Sequence, residues 1–279
     1  MRIVMSLLLM AMLAGTSDAA APSVVRTPAA AHSALPAGED DAKDRLSHSP
    51  RHGEVVAIDA HGTPIHTWIV YPQRPDKAPV VLVIHEIFGL TDWIRAVADQ
   101  LAADGFIAVA PDLLSGKGPG GGGTEAYASR DDVTKAVSGL TPDEVMARLD
   151  AVRAFAAVLP SAGARNATIG FCWGGSTSFA YAAARPDVAA AVVYYGTAPD
   201  DLSKLAAPVL GLYGGDDARV TATIEPTRAK TTELHKSYDP HVFPGAGHGF
   251  LRAQGQEANL AAARQAWPLT VTFLRNHTH

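Results

Sequence analysis

The sequence predicts an α/β protein with a mostly parallel central sheet and helices on both faces, and three observations carry that prediction. Val80-Val81-Leu82-Val83-Ile84, Ala189 to Tyr195 and Pro208 to Tyr213 are apolar runs with no polar break, as strands covered on both faces require. Stretches of helical period separate them, and strands alternating with helices build parallel sheets. The third observation is a strand, a glycine-flanked turn and a helix in direct succession. Ala167-Thr168-Ile169 leads into Gly170-Phe171-Cys172-Trp173-Gly174-Gly175 and then into an Ala-rich stretch from Ser176 to Arg185, stopped by Pro186.

From the beginning of the chain, Met1 to Ala19 has one early charge at Arg2, an apolar run from Ile3 to Ala14 and then small residues. That is the pattern of a secretory signal peptide. Cleavage is expected after Ala19, because Ser17-Asp18-Ala19 fits an A-x-A-like site, with Ala21 as the nearby alternative. The run falls short of the about 20 residues that a membrane span needs, and Leu13-Ala14-Gly15 is followed by Thr16, not by the cysteine of a lipoprotein. The mature chain is therefore expected in a periplasm or outside the cell, free of the membrane after cleavage, as a monomer. Pro22 to Pro50 mixes Ala, Pro, Ser, His and charges without periodicity, so residues 20–51 are read as a disordered linker. Residues 52–279 are long enough for one domain with a sizeable core. A hydrophobic content of 47% suits a globular protein, and a net charge of −5 leaves no basic footprint for nucleic acid.

Within that domain, Glu54 to Asp59 and Pro64 to Tyr71 read as an antiparallel hairpin around His61-Gly62 at a sheet edge. The central run Val80 to Ile84 ends in His85-Glu86-Ile87-Phe88-Gly89-Leu90 and is followed by an amphipathic helix from about Asp92 to Ala103. Phe106 to Ala110 is the next strand. Gly116 to Gly123, with six glycines in eight residues, reads as a flexible loop flanking the site; Lys117 is misplaced for a phosphate cradle. Thr141-Pro142-Asp143-Glu144 is a capped helix start for a helix to about Val158. His241-Val242-Phe243 leads to a histidine in a glycine-rich loop, Gly245 to Phe250, before a C-terminal helix from about Gln256 to Leu274.

The chemistry gathers at the carboxyl ends of these strands, where sites of doubly wound sheets lie. A strand, a G-x-C-x-G turn and a helix make a nucleophile elbow, and it would set the Cys172 sulfur at a helix N-terminus, whose partial charge favours a thiolate. Cys172 is also the sole cysteine, and an unpaired thiol in an exported protein invites a chemical reason. Glu86 sits at the end of the central strand, Asp217 follows the strand Pro208 to Tyr213, and His248 comes last. With 45 residues from Cys172 to Asp217 and 31 from there to His248, the order is nucleophile, acid, histidine, that of α/β-hydrolases. Each residue also has a structural alternative: a small core cysteine, a turn aspartate, a loop histidine, a capping or ion-paired glutamate.

Glu86-Ile87-Phe88-Gly89, Gly170 to Gly175, Gly214-Gly215-Asp216-Asp217 and Ala246-Gly247-His248-Gly249-Phe250-Leu251-Arg252 together resemble the dienelactone hydrolases, carboxymethylenebutenolidase-like enzymes of the α/β-hydrolase fold. The resemblance runs from roughly His52 to the C-terminus. It implies a Cys-His-Asp triad that opens enol-lactones, here Cys172, His248 and Asp217, with Glu86 receiving the thiol proton when substrate binds. Asp217 is preferred to Asp216 because the family's acid is followed by two residues and then Val, matching Val220. Arg252 matches one of two arginines that bind the substrate carboxylate in the family. The second has no clear counterpart, Arg130 being a guess, and the family's best-known members are cytoplasmic.

The implied reaction is a two-step acyl transfer through a thioester on Cys172, with the oxyanion on the backbone N–H groups of Trp173 and Ile87. The substrate is a small ester or lactone. No cofactor is expected and no metal, because Cys172, His248 and Asp217 are the plausible cluster and each has a triad role. A non-catalytic protein that binds or senses small acyl compounds on a hydrolase fold is the alternative. A thiol redox protein would need a resolving cysteine.

Overall fold

The computed structural model describes residues 35–279. The signal peptide expected over 1–19 and the first part of the expected linker, 20–34, lie outside the described residues. After helix α1 (Ala42–Ser47) come β1 (Gly53–Ala60), β2 (Thr63–Val70), β3 (Ala78–Ile84), α2 (Asp92–Ala103) and β4 (Ile107–Pro111). Helices α3 (Arg130–Ser138) and α4 (Pro142–Ala157) precede β5 (Ala162–Phe171), α5 (Trp173–Ala184), β6 (Ala190–Tyr194) and β7 (Val209–Gly214). The chain ends with α6 (Ala218–Thr221), α7 (Ile224–Glu233), β8 (Tyr238–Phe243) and α8 (Glu257–Thr278).

The eight strands form one sheet in the order β1-β2-β4-β3-β5-β6-β7-β8. β1 pairs with β2 and β2 with β4 in antiparallel fashion, and every other pairing is parallel. The hairpin closes through His61 and Gly62, both at positive φ, the backbone of a two-residue turn that matches the twist of its strands. All seven residues of β3 are buried. Val81 and Val83 join α2 and α8 in one core, while Val80, Leu82 and Ile84 join α4 and α5 in the other. Successive strand residues point to opposite faces, so a strand with helices on both sides has no polar position to spare, and β3 reads as an unbroken apolar run.

Chain order places the site. From β3 the chain crosses to β4 on one side and returns to β5 on the other, with Ile84 registered against Gly170. The carboxyl ends of β3 and β5 are thus adjacent at the point where the winding reverses, the place where an open sheet leaves a crevice.

Two expectations differ from the structure. Residues 35–51, read as part of a disordered linker, are folded. Ala42 is buried, the Trp93 indole N–H donates to Ala37 O at 3.1 Å, and Arg51 and Ser49 both bind Asp99, with Arg51 Nε at 2.8 Å from Oδ1. These anchors are polar and act over long sequence separations, so they leave no hydrophobic periodicity to read. The glycine-rich stretch forms tight turns, closed by Gly118 N–H donating to Gly122 O at 2.8 Å. Its end is tied down by Asp112, which accepts from the Thr124 N–H and hydroxyl, each at 2.7 Å.

Candidate active site

The elbow forms where the glycines permit it. Cys172 stands between β5 and α5 at φ 55° and ψ −116°, a strained backbone for a residue with a side chain. Its N–H donates to Tyr194 O at 3.0 Å and its carbonyl accepts from Ser176 N–H at 3.1 Å. A Cβ on Gly170 would lie 1.8 Å from Gly174 O, and one on Gly174 would lie 2.2 Å from His85 O. Strand, turn and helix approach so closely that no side chain fits at either position. Cys172 is half-buried, and no side-chain hydrogen bond reaches its sulfur among the described residues.

His248 lies in the loop between β8 and α8, and its Nδ1 is 2.5 Å from Asp217 Oδ2. Asp217 is buried and caps α6, its Oδ1 accepting from Val220 N–H at 3.4 Å. Asp216, one residue earlier, is exposed, and Asp217 is the carboxylate that meets His248. The histidine loop is held by the buried Asn259, whose Oδ1 accepts from Gly247 N–H at 2.9 Å. Tyr195, at φ 40°, sets its ring 5.1 Å from the His248 ring. Its hydroxyl is buried without a partner.

Glu86 is buried after β3. The donor to its carboxylate is the Arg252 guanidinium. Arg252 Nε is 3.1 Å from Oε2 and 3.4 Å from Oε1, with its N–H aimed at Oε1, which leaves Oε2 without a hydrogen bond. Burial pushes the Glu86 carboxyl up to about 7, against the opposing charge and hydrogen bond of Arg252. Burial and then the Glu86 charge push the Cys172 thiol up, while the Trp173 N–H and the charges of Arg219 and Arg252 pull it down. The resting group is therefore a thiol, not the thiolate that the helix N-terminus alone suggests.

Trp173 opens α5 and Ile87 follows Glu86. No backbone oxygen accepts from either N–H among the described residues, and the Trp173 N–H faces the Cys172 sulfur. His85 is buried and structural. Its Nδ1 meets Glu86 O at 2.7 Å, its Nε2 accepts from Leu113 N–H at 3.3 Å, and its ring stacks on Trp173 at 5.6 Å. Burial lowers its pKa and keeps it neutral. An apolar hollow of about 200 Å³ lined by Leu140, Val145, Met146, Trp173 and Ala180 borders the elbow. Among the described residues no three His, Cys, Asp or Glu side chains converge to hold a metal ion.

Sequence reasoning missed Glu39. Its carboxylate meets Arg252 Nη1 through Oε2 and Arg130 Nη2 through Oε1, the latter at 2.6 Å. Both guanidiniums lie over the Phe88 ring, at 3.8 Å for Arg130 and 5.3 Å for Arg252. Arg130, a guess from the sequence, is thus brought to Arg252 by a shared carboxylate and a shared ring. Tyr195 and Asn259 were missed too, since neither sits in a motif.

The arrangement, a thiol on a strained elbow, a histidine held by a carboxylate and backbone N–H groups beside the thiol, is equipped for acyl transfer. The sequence profile of the dienelactone hydrolase family matches residues 65–278. A relative from Salmonella typhimurium, provisionally named a carboxymethylenebutenolidase, is 33% identical over 231 residues, which cover 76% of this chain and 83% of that one. One from Methylorubrum extorquens with the same provisional name is 35% identical over 221 residues, covering 74% and 75%. The crystal structure of a provisionally named dienelactone hydrolase from Klebsiella pneumoniae superposes with a TM-score of 0.71 at 30% identity, covering 81% of this chain and 98% of that one. Site, fold and relatives agree, and the chain belongs to the dienelactone hydrolase family, lactone and ester hydrolases of the α/β-hydrolase fold.

Proposed function

We propose that this hydrolase acts through a cysteine thioester, with Cys172 as nucleophile, His248 as acid and base, Asp217 as its orienting carboxylate and Glu86 as acceptor of the thiol proton. The 2.5 Å contact between His248 Nδ1 and Asp217 Oδ2 carries the reading, because it fixes the tautomer that leaves Nε2 for proton transfer. Glu86 has a buried Oε2 that accepts no hydrogen bond and a pKa of about 7, so near neutral pH it exists in both forms and can take a proton from the thiol. The thiolate attacks the ester carbonyl, and the oxyanion rests on the N–H groups of Trp173 and Ile87, each such donor being worth about 3 kcal/mol in the transition state. The thiol proton held on Glu86 goes to the leaving alcohol or enol. His248 Nε2 then takes a proton from water as its hydroxide cleaves the thioester and releases the acid, and that proton returns to the departing thiolate.

The test is a burst experiment with a 4-nitrophenyl ester. The expected result is a burst of nitrophenolate stoichiometric with enzyme, absent in Cys172→Ala. Unchanged turnover in Cys172→Ala would remove the thioester. The hydrophobic start of the chain, Met1 to Ala19, supports export to a periplasm or beyond, where the mature protein would begin at Ala20. N-terminal sequencing of the protein from that compartment checks this, and a cytoplasmic protein retaining Met1 would contradict it.

A further inference from the structure

The carboxylate of Glu39 belongs to the chain, yet it sits where two guanidiniums converge one contact away from Glu86. We propose that Glu39 is a specificity-determining residue. It occupies the Arg130–Arg252 pair at the mouth of the site, so that the enzyme selects uncharged esters and lactones over those bearing a carboxylate. This rests on the hydrolase reading of the same site.

The geometry is that of a filled anion seat. Each Glu39 oxygen takes one arginine, the divided engagement that suits a carboxylate between two forks. The charged groups facing one another there are Arg130, Arg252, Glu39 and Glu86. Burial raises the Glu39 pKa, but the Arg252 charge and the Arg130 hydrogen bond outweigh it and hold Glu39 below the ordinary value. It therefore stays ionised at neutral pH. With Glu39 and a partly ionised Glu86 set against two arginines, little positive field remains for an arriving anion.

The segment that delivers Glu39 is anchored independently of the carboxylate. Glu39 N–H donates to Arg252 O at 2.9 Å, Gln254 Nε2 donates to Pro36 O at 3.1 Å, and the Trp93 indole N–H donates to Ala37 O at 3.1 Å. A tethered group competes at an effective concentration of about millimolar or more, so a free carboxylate of ordinary affinity does not displace it. Cleavage after Ala19 leaves Glu39 in the mature chain. The seat is also partly wet, with side-chain exposures of 37% for Glu39 and 50% for Arg130. Screening limits the effect to roughly ten-fold and not thousands.

The test compares the 4-nitrophenyl half ester of adipate with its methyl-capped counterpart in the full mature protein and in Glu39→Gln, which keeps the backbone contacts. Glu39→Gln is expected to raise kcat/KM on the free-acid substrate about ten-fold with less than about a two-fold change on the capped one. Adding Arg130→Gln should abolish most of that gain. A second measurement does not depend on turnover: adipate should raise the Tm of Glu39→Gln and leave that of the parent nearly unchanged. An acid-to-neutral ratio that Glu39→Gln leaves unmoved, with turnover of the capped ester intact, overturns the role of Glu39 and spares the hydrolase reading. A parent inactive on both substrates would instead strike the hydrolase reading, and the Tm shift would still decide whether Glu39 fills an anion seat.

Discussion

At Glu86 a carboxyl is held in a place that water does not reach, with one guanidinium for company. Its folded-state pKa of about 7 lies above the ordinary 4.5, so the folded protein holds this proton more tightly than the unfolded chain does. Stability contributed by Glu86 is accordingly lost as pH rises from about 4.5 to about 7, and the loss persists above that range. Glu86→Gln, which keeps shape and removes the charge, should therefore be more stable than the parent at pH 8, by about 3 kcal/mol, and little different at pH 5. Urea unfolding of both proteins at the two pH values checks this. An equal difference at both pH values would mean that burial does not strain this carboxyl. Cys172, His248, Asp217, Glu86 and Arg252 could be proposed from the sequence because each lies in a short motif following a strand. Glu39 could not: it lies 213 residues from Arg252 in a stretch without periodicity, and a pairing over that distance writes nothing into the local sequence. The burial that raises the Cys172 thiol pKa was not legible either, since a helix N-terminus is visible in sequence and the burial that opposes it is not.

Among the elements, the buried parallel strands were the easiest to foresee. A strand covered on both faces must be apolar at every position, which is why β3, β6 and β7 stood out, and the helix cap at Thr141 followed from local chemistry of the same kind. The segment before β1 obeys another logic. It is fastened by Arg51, whose guanidinium meets Asp99 with the two side chains 6% and 5% exposed. Removing one partner of a buried pair leaves the other charged and unpaired, at a cost of about 3 kcal/mol or more. Arg51→Ala is therefore expected to lower unfolding stability by about that amount in urea, whereas a true linker residue would change it by a few tenths. A near-neutral Arg51→Ala would return residues 35–51 to the status of a linker. Helices α3 and α7 went unread as well; neither is flanked by a strong apolar stripe, and their places are set by what they pack upon.

For the molecule as a whole, strand order does the assembling. Because the winding reverses between β3 and β5, residues from four separate turns, Glu86, Cys172, Asp217 and His248, come to one end of the sheet, and the N-terminal segment closes over that end through Glu39. No helix among the described residues is long and apolar enough to cross a membrane. The chain carries a single cysteine, so a covalent acyl group can be counted on the intact protein without ambiguity. Acid quenching during turnover of 4-nitrophenyl acetate, followed by intact-mass spectrometry, is the most direct measurement. The expected result is one added acetyl group per chain, removed by hydroxylamine and absent in Cys172→Ala. An acetyl group that survives in Cys172→Ala, or steady turnover with no adduct at any quench time, would contradict a thioester on Cys172.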